Sequence, residues 1–253
     1  MQNQTDAPTY PITSVDNALR LLLLLRDREL IRVTQVSEEL GIAASSAHRL
    51  LAMLAYRDFA EQDQATRAYR LGPVLAGWAR HLSDHDVERI HPVLVALSRR
   101  AEETANLVVL DGSYGRFLDS VETERLVRVG SRVGVRLPAH WTSAGKALLA
   151  ELASEELRAR YPDEALATMT SRTLATRTEL EEHLARVREQ GFAVNLGESQ
   201  PDVTAIGAVL RERDGRPRAA VAISIPASRL DADRIAELAP AVMAAARDAG
   251  ERL

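Results

Sequence analysis

Apolar residues recur at helical spacing through the first third of the chain and then alternate in short runs. Val15, Ala18, Leu19, Leu22 and Leu25 fall on one stripe, which predicts a helix capped by Ser14 and ending near Asp27. A second, short helix follows Thr34 with Val36 and Leu40 inward, and Gly41 stands where a helix stops in the left-handed conformation. Residues 43–56 then place Ala47, Leu50, Leu51 and Leu54 on one face and leave Ser45, Ser46, His48 and Arg49 on the rest of the surface. Two β-like runs, 59–62 and 67–71, flank the turn-forming Asp63, Gln64, Ala65 and Thr66. Three helices with a tight turn between the second and third, followed by a hairpin, have the order of a winged helix-turn-helix.

A further helix is expected over residues 73–82, with Val74, Leu75, Trp78, Ala79 and Leu82 on one stripe, and a domain boundary near Ser83. This divides the chain into residues 1–83 and 84–253. The second part predicts a helix over 87–103 and a hairpin of 106–110 and 115–121 across Asp111-Gly112. A strand over 126–130 with an irregular continuation at 133–137 follows, then helices over 142–152 and 154–161. Thr178 and Glu181 form a capping-box pattern for a helix ending before Gly191. Two β runs, 203–210 and 218–225, are joined through Asp214-Gly215, and residues 231–253 form an amphipathic helix with Ile235, Leu238, Val242 and Ala246 inward. Hairpins outnumber βαβ units, so the fold class is α+β on an antiparallel sheet flanked by helices.

Composition narrows the chemistry. The 253 residues are 46% hydrophobic, enough for packed cores, and contain no Cys, which excludes disulfides, thiolate metal sites and Cys nucleophiles. The longest apolar run, Leu21 to Leu25, is far short of the roughly 20 residues that a membrane span needs. The polar start, residues 1–9, reads as a loose arm and not a signal peptide, so a cytoplasmic location is expected. A net charge of -4 advertises no general affinity for nucleic acid, and Lys146 is the sole lysine, every other cation being Arg. Ser143-Ala144-Gly145-Lys146 is not a phosphate loop, because His140 and Ala147 stand where Gly and Ser or Thr are needed. Lys146 is expected to cap or to pack beside a carboxylate instead. His81 and His85 are helically spaced but have no third ligand, and no Gly-x-Ser-x-Gly elbow occurs. No catalytic residue, metal or cofactor is therefore expected.

Several segments resemble one family: Ser14-Val15-Asp16-Asn17-Ala18-Leu19, the run from Gly41 to Leu51, Tyr69-Arg70-Leu71-Gly72, Glu103-Thr104-Ala105-Asn106-Leu107, Leu137-Pro138-Ala139-His140 with Gly145-Lys146-Ala147-Leu148-Leu149-Ala150, and Gly191-Phe192-Ala193. In this order they look like the isocitrate lyase regulator (IclR) family. The resemblance implies a winged-helix DNA-binding domain, a GAF-like effector domain, a homodimer or dimer of dimers, and control of a catabolic or metabolic operon by a small organic or aromatic acid. It also implies departures: Ala43 and Ala44 stand where Pro and Lys are usual, Asn195 where an acidic residue is common, and Asp202 where Gly is usual.

Candidate contacts to double-stranded operator DNA are Thr34, Ser45, Ser46, His48 and Arg49, with Arg67 and Arg70 on the wing. Their bland alternative is a solvated surface. The resemblance carries effector-pocket positions onto Val129, Ser143, Ala144, Asn195, Ala205 and Ser224. His140, Trp141 and Thr142 join them because helix-start amides beside Ser143 suit a carboxylate without any buried Arg. Trp141 has a plain packing role as its alternative. The rival from another class is a small-molecule-processing enzyme with an appended winged helix.

Overall fold

The structure is a computed structural model that describes residues 10, 12–28, 30–64, 66–72, 74 and 82–253. The chain divides into two compact units, residues 1–81 and 82–253.

The first unit contains α1 (Thr13–Asp27), α2 (Val33–Leu40), α3 (Ala44–Tyr56) and the hairpin β1 (Ala60–Gln62) and β2 (Tyr69–Leu71). Its core is Leu21, Leu25, Ile31, Val36, Leu40, Ala47, Leu51, Ala60 and Tyr69. Gly41 has φ 65°, and behind it the Ile42 amide donates to the Ser37 carbonyl at 3.1 Å, which turns the chain from α2 into α3. The wing pairs Glu61 with Arg70 and Gln62 with Tyr69, and Tyr69 is also bridged to Ile31.

Two expectations here are corrected. α1 begins at Thr13 after Ile12, whose side chain cannot cap, so Ser14 lies inside the first turn. Its buried residues are Leu21 and Leu25, while Val15 and Leu19 are 50% and 57% exposed. Five consecutive leucines satisfy any helical phase, so periodicity could not choose the inner face. The helix expected over residues 73–82, with Trp78, lies outside the described residues apart from Val74 and Leu82; Leu82 is buried in the core of the second unit.

The second unit contains α4 (Asp84–Ala101), β3 (Thr104–Asp111), β4 (Tyr114–Val121), β5 (Arg136–Pro138), α5 (Ser143–Leu149), α6 (Ser154–Arg160), α7 (Arg177–Gln190), β6 (Ala193–Leu196), β7 (Val203–Arg211), β8 (Pro217–Pro226) and α8 (Ala232–Glu251). The strands form one six-stranded antiparallel sheet, ordered β5-β4-β3-β8-β7-β6. On one face Leu107, Val109, Ile206, Val221 and Ile223 pack with Leu94 and Leu97 of α4 and Leu238 and Val242 of α8. On the other, Val108, Phe117, Ala220 and Ala222 pack against Ala144 and Leu148 of α5. A strand covered on both faces reads as a continuous apolar run, as β3 does.

Boundaries moved where caps decide them. α4 starts at Asp84 because Ser83 accepts from the Asp86 amide and Asp86 answers in return. α7 is capped by Thr176 with Glu179, two residues before the expected pair Thr178 and Glu181. α5 is shorter than expected, with Thr142 as its cap. Residues 126–130 form a loop and only Arg136–Pro138 pair as β5, while the short edge strand β6 was not anticipated.

Close approach of α5 to the sheet depends on Gly207 of β7. A Cβ there would stand 2.8 Å from the Ala144 nitrogen and 2.9 Å from the Ser143 carbonyl carbon, both backbone atoms that cannot swing away. Gly207→Ala is expected to destabilise the unit by about 1–3 kcal/mol through overpacking. Urea denaturation measures this, and an unchanged midpoint would show that α5 is not held against β7 as described.

Candidate functional sites

On α3 the burial of Ala47 and Leu51 turns Ser45, Ser46, His48 and Arg49 outward, and all four are exposed. Thr34 is exposed in the first turn of α2. On the wing, Arg67 sits at the turn with φ 58° and forms no ion pair among the described residues, nor does Arg49. Arg70 is held by Glu61, Nε to Oε2 at 3.2 Å, its cross-strand partner. The bond raises the Arg70 pKa. An exposed pair of this kind is worth little, so a phosphate can replace Glu61 as the partner of Arg70.

In the second unit the start of α5 meets β6, β7 and β8 around a cavity of about 20 Å³. Of the nine positions expected there, Thr142, Ser143, Ala144, Asn195, Ala205 and Ser224 line it. Val129 does not: it is buried in the loop below an adjoining groove, where its carbonyl accepts from Thr104 Oγ1 at 2.6 Å. His140 and Trp141 also turn away. His140 Nε2 and Trp141 Nε1 both donate to the Ala167 carbonyl at 2.9 Å, and the His140 ring meets Tyr161 edge-on at 5.6 Å. Burial lowers the His140 pKa, and the ring is part of the packing. Trp141 reaches the site only through its carbonyl, which accepts from Asn195 Nδ2 at 3.0 Å.

Sequence reasoning missed Phe117, Arg132, Ser199, Val203 and Ala222, which complete the lining. Arg132 was not among the expected positions, because the helix-start amides were held sufficient for a carboxylate without a buried Arg. Its signal was the break at Gly130-Ser131 between two apolar runs, which marks a loop able to aim a side chain inward. The seven-residue α5, capped by the Thr142 hydroxyl on the Gly145 amide at 3.0 Å, is too short to dominate the electrostatics.

The walls are fixed by hydrogen bonds behind them. Asn195 gives both amide protons to the scaffold, to Trp141 O and to Ser199 Oγ at 3.0 Å, and its Oδ1 accepts from the Glu198 amide at 2.8 Å. The Glu198 carboxylate receives Lys146 Nζ at 2.6 and 2.5 Å, with Lys146 fully buried. Lys146 therefore packs beside a carboxylate, as expected. Burial pushes the Glu198 carboxyl up and the Lys146 ammonium down, against the attraction of each for the other. On the sheet side, Ser120 Oγ donates to Asn106 Oδ1 at 3.0 Å and Asn106 Nδ2 to Ser224 Oγ at 3.1 Å. No cluster of potential metal ligands occurs among the described residues, and none of their helices is long and apolar enough to cross a membrane.

An exposed helix-turn-helix surface joined in one chain to a small cavity of mixed polar and apolar lining defines a DNA-binding regulator with an effector domain. Residues 14–64 match the IclR helix-turn-helix domain and residues 79–250 the C-terminal domain of bacterial IclR transcriptional regulators. The chain belongs to the IclR family. It is 33% identical to the HTH-type transcriptional regulator BhcR of Paracoccus denitrificans over 95% of this chain and 91% of that one. The solved structure of the Agobacterium tumefaciens repressor BlcR is similar at 28% identity and TM-score 0.61, covering 96% of this chain and 97% of that one. An IclR homolog from Microbacterium hydrocarbonoxydans, solved with 4-hydroxybenzoate, shares the fold at 21% identity and TM-score 0.59, covering 95% and 100%. The α+β architecture and the role of ligand-responsive transcription regulator expected from sequence thus hold.

Glu198→Ala leaves the Lys146 ammonium buried without its partner and is expected to cost about 3–5 kcal/mol, whereas Lys146→Met with Glu198→Leu together costs far less. A double-mutant cycle by chemical denaturation measures the coupling; additive losses would show that the pair does not act as a unit.

Proposed function

We propose that this regulator reads operator DNA with the start of α3 in the major groove, through Ser45, Ser46, His48 and Arg49, while Thr34, Arg67 and Arg70 contact phosphates. The observation that carries this is the outward face of α3: short polar side chains and an unpaired Arg on a helix whose other face is locked into the core. Arg can fork onto guanine, and short hydroxyls reach phosphate oxygens. Arg49→Ala is expected to weaken operator binding by about 1–3 kcal/mol and relax specificity at one base pair. A gel-shift titration giving wild-type affinity for Arg49→Ala would remove it from the interface.

The second unit senses a small organic or aromatic acid at the cavity beside α5, with Ser143, Ala144, Ala205 and Ser224 at the ligand and Asn195 holding the wall. The homolog solved with 4-hydroxybenzoate supports an acid of this kind. The acid regulates by binding one arrangement of the protein better than another, not by being turned over. We place the protein in the cytoplasm, with the domain boundary near Ser83.

We also propose a homodimer or dimer of dimers, as paired modules read symmetric operators. α1 supports it: Ile12, Val15, Leu19 and Leu23 are each at least half exposed and fall close to every fourth position. Such an apolar stripe left in water is a seam for a second copy. Leu19→Asp with Leu23→Asp is expected to shift light scattering towards monomer and to weaken operator binding. A wild-type protein that is monomeric at micromolar concentration, both free and on DNA, would end the dimer proposal.

A further inference from the structure

Two recesses of the second unit share two residues, Arg132 and Val203. The inner cavity, about 20 Å³, has a mixed lining, the hydroxyl residues Thr142, Ser143, Ser199 and Ser224 beside apolar Phe117 and Ala222, and has room for about one water-sized group. Beside it lies an open groove of about 430 Å³ walled by Val127, Val129, Val203 and Pro226. Arg132 lines both. Its guanidinium is half-buried, and its one side-chain hydrogen bond runs from Nη2 to Gln200 Oε1 at 2.7 Å.

A buried guanidinium normally meets a carboxylate, and elsewhere this fold obeys that rule. Arg229, also partly buried, spends its fork on Glu103, with Nε to Oε1 at 2.8 Å and Nη2 to Oε2 at 2.7 Å. Arg132 has no such partner: Asp202 lines the same groove, yet no carboxylate among the described residues is in ion-pair range of it. Burial without a counter-charge lowers its pKa. A neutral amide satisfies one of the five N–H donors and returns little of the desolvation cost.

We propose that Arg132 sets the charge of the effector: a carboxylate in the outer groove takes the guanidinium in a two-pronged hydrogen bond and displaces Gln200. The uncharged polar end of the same molecule reaches the inner cavity. This rests on the effector-site reading above and narrows it to a class. The inner cavity admits a group no larger than a hydroxyl, the valines and proline hold an apolar body, and one free guanidinium matches one carboxylate. The ligand is thus a hydroxy monocarboxylic acid. A dicarboxylate would push its second charge among hydroxyls with no free cation, since Lys146 is already paired with Glu198.

The test is calorimetry on the full-length protein with glycolate and 4-hydroxybenzoate, each against its primary amide, and with terephthalate as a dicarboxylate. At least one hydroxy acid is expected to bind, with its amide and terephthalate weaker by about tenfold or more. Arg132→Gln is expected to bring the acid down to the level of the amide, Arg132→Lys to keep part of the preference, and Gln200→Ala to bind the acid at least as well as wild type. Ser143→Trp, which fills the inner cavity, tests the underlying site and is expected to abolish binding of acid and amide alike. Acid binding unchanged in Arg132→Gln but lost in Ser143→Trp overturns the role of Arg132 and leaves the site standing. Equal binding of acid and amide by wild type does the same. Binding unchanged in Ser143→Trp, or no binding of any probe, overturns both.

Discussion

The Lys146 ammonium gives protons to both oxygens of Glu198 in a place where Lys146 meets no water. Burying two charges is costly, and mutual attraction repays it only when geometry and further hydrogen bonds are good. Here they are: Asn195 holds the Glu198 amide and Thr173 holds its carbonyl at 2.7 Å. Through this pair α5 is tied to the loop after β6, and the two walls of the cavity beside α5 acquire one relative position. Gly207 supplies the matching constraint from below, by letting the start of α5 rest on β7.

Much of the architecture was legible because it follows from local patterns that tertiary contacts did not override. Gly41 marked the helix-turn-helix turn, Asp214-Gly215 marked the β7–β8 hairpin, and the apolar face of α3 told its polar face apart. What was illegible is physically of one kind. Leu21 to Leu25 carry no phase information, so the inner face of α1 needed the partner helices. Residues 126–130 have strand-like composition, but they lie outside the sheet as a loop, with the Thr104 hydroxyl bound to Val129 O and Arg229 bound to Val127 O. Thr176 and Thr178 are both plausible caps, and the choice rests on which hydroxyl meets the Glu179 amide.

The binding face shows the same division. Five of the six positions carried by the resemblance line the cavity, all on α5 or on strands, whose side-chain directions follow from regular geometry, while the sixth, Val129, lies on a loop beside it. The helix-start argument misplaced His140 and Trp141, which lie in a single turn of 3-10 helix and swing both rings onto Ala167. Both missed Arg132 altogether, because a loop residue points where its loop is anchored and no periodicity reports that. The cavity lining is thus supplied partly by the segment least accessible to pattern.

The same burial that makes Lys146 a structural residue has a chemical corollary. With one lysine in the sequence and none of it exposed, the folded chain offers no lysine amine at its surface. Acylation, reductive alkylation and amine-directed cross-linking find no side-chain target until the effector unit opens. A lysine-specific protease is likewise restricted to its one site inside α5, so the rate at which it cuts reports opening of that unit and nothing of the many fluctuations at the arginine-rich surface.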